Sequence, residues 1–97
     1  MKSNIILLNV MQYVKKKDNQ EKPMTRVQFI FTQLQKSDNY IGTEPITCYF
    51  KGHNVYKSLN KLDLLQVYEA EFKEIKDYYD PLAVKQILKS IDGITLE

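Results

Sequence analysis

From Thr25 to Leu34 the chain reads TRVQFIFTQL, with Val27, Phe29 and Phe31 on one side of an extended backbone and Arg26, Gln28 and Thr32 on the other. Successive side chains of a strand point to opposite faces, so this period of two demands a sheet with one buried face and one wet face. Ile30 is the exception, an apolar residue on the wet side. The earlier stretch NIILLNVMQYV is rich in β-branched and aromatic residues and reads as a partner strand. The residues from Lys15 to Pro23 between them read as the turn. The pair predicts a hairpin with a long tip, and that tip holds the densest positive charge of the chain: Lys15, Lys16 and Lys17 in a row, then Lys22.

Beyond the hairpin, QKSDNYIGTEP reads as a loop broken by Gly42 and Pro45. ITCYFK predicts a third strand with Ile46, Cys48 and Phe50 inward and Thr47, Tyr49 and Lys51 outward. In GHNVYKSLNK, Val55 and Leu59 stand four apart, the spacing of one or two helical turns. The last third supports two readings. LLQVYEAEFKEI fits a strand with Tyr68, Ala70 and Phe72 inward, and it also fits a helix through Leu65, Tyr68, Phe72 and Ile75. DPLAVKQILKSIDG carries helix signals: Asp80 at the N-cap, Pro81 at the first helical position, Gly93 as the stop and a stripe of Val84, Ile87, Leu88 and Ile91. Two architectures follow. One is mainly β, a five-stranded barrel with a short helix between strands 3 and 4. The other is α+β, a three-stranded antiparallel sheet with two C-terminal helices. The barrel is preferred because closure leaves few open edges in a small β domain.

A length of 97 residues predicts a single domain spanning 1–97. Its net charge of +2 is unevenly spread. Residues 1–62 hold ten Lys/Arg against four Asp/Glu, whereas residues 63–97 hold four against eight. Such polarity bears on partners, not on fold. The lone Cys48 excludes an internal disulfide and points to a reducing cytoplasm. The opening apolar run is too short to span a bilayer and lacks a cleavage site, so no membrane role is expected. Cys48 and His53 are the only soft ligands, too few for a zinc site, and no metal or cofactor is expected. Cys48 and His53 also make a poor nucleophile and base, because the thiol faces inward. Glu69, Glu71, Asp77 and Asp80 sit among lysines and read as solvated faces. Three glycines cannot build a phosphate loop. The chain is therefore not expected to be an enzyme or to take a small-molecule substrate.

Binding remains. An unpaired polynucleotide is held by cations that neutralise phosphates and by flat side chains on which bases stack. The candidate cations are Lys15, Lys16, Lys17 and Lys22 at the hairpin tip, Arg26 on the wet face of the second strand and Lys51 at the end of the third. Tyr49 is the first stacking candidate, followed by Tyr13 and then Tyr40; Gln28 offers a hydrogen bond. The adjacent tyrosines of DYYDP (77–81) rank lower, since Asp77 and Asp80 repel phosphate.

The layout NIILLNVMQYVKKKDNQEKPMTRVQFIF resembles the opening hairpin of small OB-fold single-stranded DNA-binding proteins. Filamentous-phage helix-destabilising proteins, and similar proteins of phages and conjugative elements, share it: an apolar strand, a basic turn ending in a pair like Lys22-Pro23, and an alternating aromatic strand. EPITCYFKG resembles the third strand and QVYEAEFKEI a fourth. The resemblance implies an OB-like barrel. It also implies binding of single-stranded DNA with little sequence specificity, in replication or transfer of a mobile element. RNA is left open, because no motif announces contacts to the sugar hydroxyl. The oppositely charged halves predict self-association, with a homodimer as the simplest form. The alternative is a small protein-interaction or inhibitor module that docks through its acidic C-terminal half.

Overall fold

In the computed structural model, which describes residues 2–76 and 84–96, β1 (Lys2–Lys17) and β2 (Gln20–Phe31) form one long antiparallel hairpin. The expected long turn from Lys15 to Pro23 is instead two residues, Asp18 and Asn19. Their φ angles of 54° and 62° are those of the mirror-image turn that matches strand twist. Short polar side chains tolerate this left-handed backbone better than most. The lysines are therefore laddered, not looped: Lys15 pairs with Lys22, Lys16 with Glu21 and Lys17 with Gln20.

The loop expected after β2 contains a small separate hairpin, β3 (Gln35–Ser37) with β4 (Tyr40–Gly42). β5 (Ile46–Lys51) then pairs antiparallel with β2. The predicted helical turn is present as α1 (Asn54–Leu59), which buries Val55 and Leu59. β6 (Val67–Lys76) pairs with the start of β1 and with β7 (Val84–Ile91), which runs into the two-residue β8 (Ile94–Thr95). The helical reading of the final third is thus corrected at both segments, and with it the α+β alternative. Gly93 does not stop a helix. With Asp92 it makes a second tight turn, at φ 77° and 51°. The proposed cap at Asp80 and Pro81 and the DYYDP tyrosines lie outside the described residues.

The molecule is mainly β, and its main sheet runs β5-β2-β1-β6-β7-β8. The expected closed barrel is not formed, because β5 has no ladder partner beyond β2 among the described residues. Burial pushes the Cys48 thiol of β5 above its ordinary pKa of 9.0, while a hydrogen bond from the Leu88 backbone of β7 opposes the rise. Those two strands are separated in the sheet by β2, β1 and β6. Leu88 belongs to the core cluster and Cys48 packs against that same cluster, so β5 and β7 share one core.

The inner face carries the core: Ile5, Leu7, Val27, Phe29, Ala70, Phe72, Leu88 and Ile91, joined by Val55 and Leu59 of α1 and by Leu96. Phe29 is its centre. Its ring meets Phe31 edge-on at 5.6 Å and Phe72 at 6.0 Å, separations at which aromatic pairs attract beyond simple area burial. The predicted inward residues of β5, Ile46, Cys48 and Phe50, pack against this core, as does Tyr68 of β6. Thr25 is the buried polar residue of the set, and its hydroxyl donates to the Gly52 carbonyl at 2.8 Å.

Candidate nucleic-acid interface

The other face of β1, β2 and β5 is built by register. Residues paired across antiparallel strands share a face. Three rows cross the sheet: Asn9, Gln28 and Thr47; Met11, Arg26 and Tyr49; Tyr13, Met24 and Lys51. Two further pairs continue along the hairpin arm, Lys15 with Lys22 and Lys17 with Gln20. Eight of the nine sequence-predicted site residues thus share one face: Tyr13, Lys15, Lys17, Lys22, Arg26, Gln28, Tyr49 and Lys51. Lys16 does not, because alternation turns it to the opposite side, where its ammonium lies 4.0 Å from Glu21.

Exposure is graded along this surface. Tyr49 presents 63% of its surface. The lysines are exposed, while Tyr13, Arg26 and Gln28 are half-buried. Among the described residues none of Lys15, Lys17, Lys22, Arg26 and Lys51 has a carboxylate partner. Lys15, Lys17, Lys22 and Lys51 line one depression of about 470 Å³, together with Pro23, Met24 and Gly52. The direct pairing of Lys15 with Lys22 sets like charges opposite one another, a local cost that an anion would offset.

The base of the arm is held from the helix side. The Gly52 N–H donates to the Pro23 carbonyl at 2.8 Å. His53 Nε2 lies 3.1 Å from the Tyr13 carbonyl oxygen, which can only accept, so the ring donates. A smaller hollow of about 240 Å³ beside Lys2 and Thr32 offers a single cation, and that ammonium is already 3.6 Å from Glu69.

Asn9 and Thr47 were not singled out from the sequence, yet they complete a chain of side-chain hydrogen bonds. Asn9 Nδ2 donates to Gln28 Oε1 at 2.8 Å, and Gln28 Nε2 donates to Thr47 Oγ1 at 3.0 Å. Only pairing register could have revealed it. Tyr40, the third stacking candidate, lies on β4, outside the main sheet.

Cys48 faces the core on the opposite side of β5 from Tyr49. Its raised pKa keeps the thiol neutral and slow to react. Labelling of the folded protein near pH 8 is expected to run slower than labelling of the unfolded chain. Equal rates would mean that the thiol is open. Folding favours the neutral thiol, so this group's contribution to stability is complete below 9.0 and fades as pH rises through the raised value.

No helix among the described residues is long and apolar enough to cross a membrane, and no group of three or more metal-ligating side chains gathers among them. No protein-family model, curated protein or solved structure significantly matches this chain.

Proposed function

We propose that this protein binds single-stranded DNA with little sequence specificity, without enzymatic activity, through the outer face of β1, β2 and β5. The observation that carries the reading is the juxtaposition of Tyr49 with Arg26 and Lys51 on a face that continues into Lys22, Lys15 and Lys17, all unpaired with acids among the described residues. Phosphates take the cations, and unstacked bases take the tyrosine face. A duplex offers no free base faces to Tyr49, so the exposed ring favours unpaired strands.

The fold reading is consistent with this. Leaving out the small β3–β4 hairpin and β8, the five remaining strands run third-second-first-fourth-fifth, with the helix between the third and fourth. That is the order of an OB barrel with one seam left open, and OB barrels are commonly partly open and bind oligonucleotides on their second and third strands. Replication or transfer of a mobile element is the process such a protein would serve, in the cytoplasm, alone or as a homodimer.

Titration of a fluorescent oligonucleotide at two salt concentrations tests this. Tight, salt-dependent binding of single strands over duplex is expected, and no binding at low salt removes the proposal. A parallel RNA strand decides between the two polynucleotides. Tyr49→Ala is expected to lose about 1–3 kcal/mol of affinity with no change in salt slope, while Tyr49→Phe retains most of it. An unchanged Tyr49→Ala affinity would place the bases elsewhere.

A second reading has one observation in its favour. Leu64, Leu65 and Val67 are 49%, 70% and 58% exposed beside the acidic Asp63 and Glu69, a surface suited to a basic protein partner. This reading leads if single strands fail to bind.

A further inference from the structure

Two atoms of the outer face are covered yet have no hydrogen-bond partner: Arg26 Nε, a donor, and Asn9 Oδ1, an acceptor. Buried polar groups are rarely left unpaired, because each loses its water without replacement. The register makes these two neighbours. Asn9 pairs with Gln28 and Met11 with Arg26, so Asn9 and Arg26 stand diagonally across β1 and β2 on one face. Diagonal positions are within reach of long side chains. The Asn9 amide is already anchored, because its Nδ2 donates to Gln28 Oε1, which leaves Oδ1 as the unclaimed end. A turn of the Arg26 side chain about its outer torsions would bring Nε toward Asn9 Oδ1, and one bond between them would satisfy both atoms.

Such a bond would have a consequence for recognition. Were Nε committed to Asn9, the guanidinium plane would be fixed and its two terminal nitrogens would be left free as a pair of parallel donors. Tyr49 is the direct cross-strand partner of Arg26 on one flank and Met11, 39% exposed, is its partner on the other. A base stacked on Tyr49 would then present its edge to the fork. The cations suited to phosphate lie further along, around the arm.

We infer that Arg26, held by Asn9 as a positioning residue, reads the edge of a stacked base that offers two adjacent acceptors, guanine first. Guanine presents O6 and N7 side by side to an arginine fork, and cytosine offers a similar pair in O2 and N3. Adenine alternates donor with acceptor, and the two carbonyls of thymine flank a donor. The inference rests on the single-strand reading and adds a modest preference to otherwise unspecific binding.

The test uses the full chain and a thymine oligonucleotide of about twelve nucleotides, with two central positions changed to guanine or to adenine. The guanine probe is expected to bind at least about fivefold tighter than the adenine probe. In Asn9→Ala this ratio falls to near one. In Asn9→Asp, which retains an acceptor for Arg26, the ratio persists even though the added negative charge weakens binding to every probe. Because the readout is a ratio within each variant, a general loss of affinity does not imitate the effect, and circular dichroism confirms that each variant is folded. Firm binding of the thymine host with equal guanine and adenine affinities overturns this inference alone, as does a ratio that survives Asn9→Ala. No binding of the host overturns the single-strand reading and this inference together.

Discussion

Replacing Lys15, Lys17 and Lys22 together by alanine is expected to weaken single-strand binding by a hundredfold or more, roughly, at ~50 mM salt. On a single strand each neutralised phosphate contributes a slope of about 0.7 in log affinity against log salt, so the triple variant should flatten the slope by about two. All three ammonium groups border the same depression on the outer face. Lys16 supplies the control. It has the same charge and lies one residue away from two of them, yet it is turned to the opposite side and sits near Glu21. Lys16→Ala should cost less than about threefold. If the Lys16 variant and each single variant of the other three lose affinity equally, net charge governs binding and the face does not.

Phe29→Ala is expected to destabilise the protein by about 3–5 kcal/mol, read as a lower urea midpoint with an unchanged denaturant slope. The ring is fully buried and contacts two other aromatic rings from the middle of β2. A domain of this size has only about 5–15 kcal/mol to lose, so the variant sits near the edge of folding. The same strand carries Arg26 and Gln28 on its other face, so this core residue also fixes the platform for the proposed ligand. A loss below about 1 kcal/mol would mean that the core is centred elsewhere.

Much of the first half was legible in the sequence because its alternation is nearly unbroken. Val27 and Phe29 are buried, Ile46, Cys48 and Phe50 pack inward, and Tyr49 and Lys51 stand out, all as the period of two requires. The arm was misread because Lys, Asp, Asn and Glu are poor strand formers by local preference, and cross-strand pairing overrides that preference. The last segment was misread for a different reason. In the β6–β7 pairing Phe72 faces Leu88 and Glu71 faces Ser90, so Lys89 is an extra residue. This bulge lets Leu88 and Ile91, three apart, both turn inward, and a spacing of three imitates a helical stripe. Leu8 does the same in β1, between inward Leu7 and Val10. The Asp92-Gly93 pair between Ile91 and Ile94 was the available clue, since Asp-Gly flanked by apolar residues is a strong hairpin signal. The Asn9–Gln28–Thr47 chain was not legible at all, because it depends on three strands meeting in one register.

The two-residue turn at Asp18 and Asn19 makes the proposed binding surface a matter of odd and even. Along the arm, odd positions of β1 and even positions of β2 look toward the outer face, and the turn keeps the two counts in step. A single residue inserted between Tyr13 and Lys15 would leave the composition and charge of the arm almost intact. It would nevertheless swing Lys15 and Lys17 to the back and bring Lys16 to the front. The arm can therefore accept many changes of letter but few changes of length.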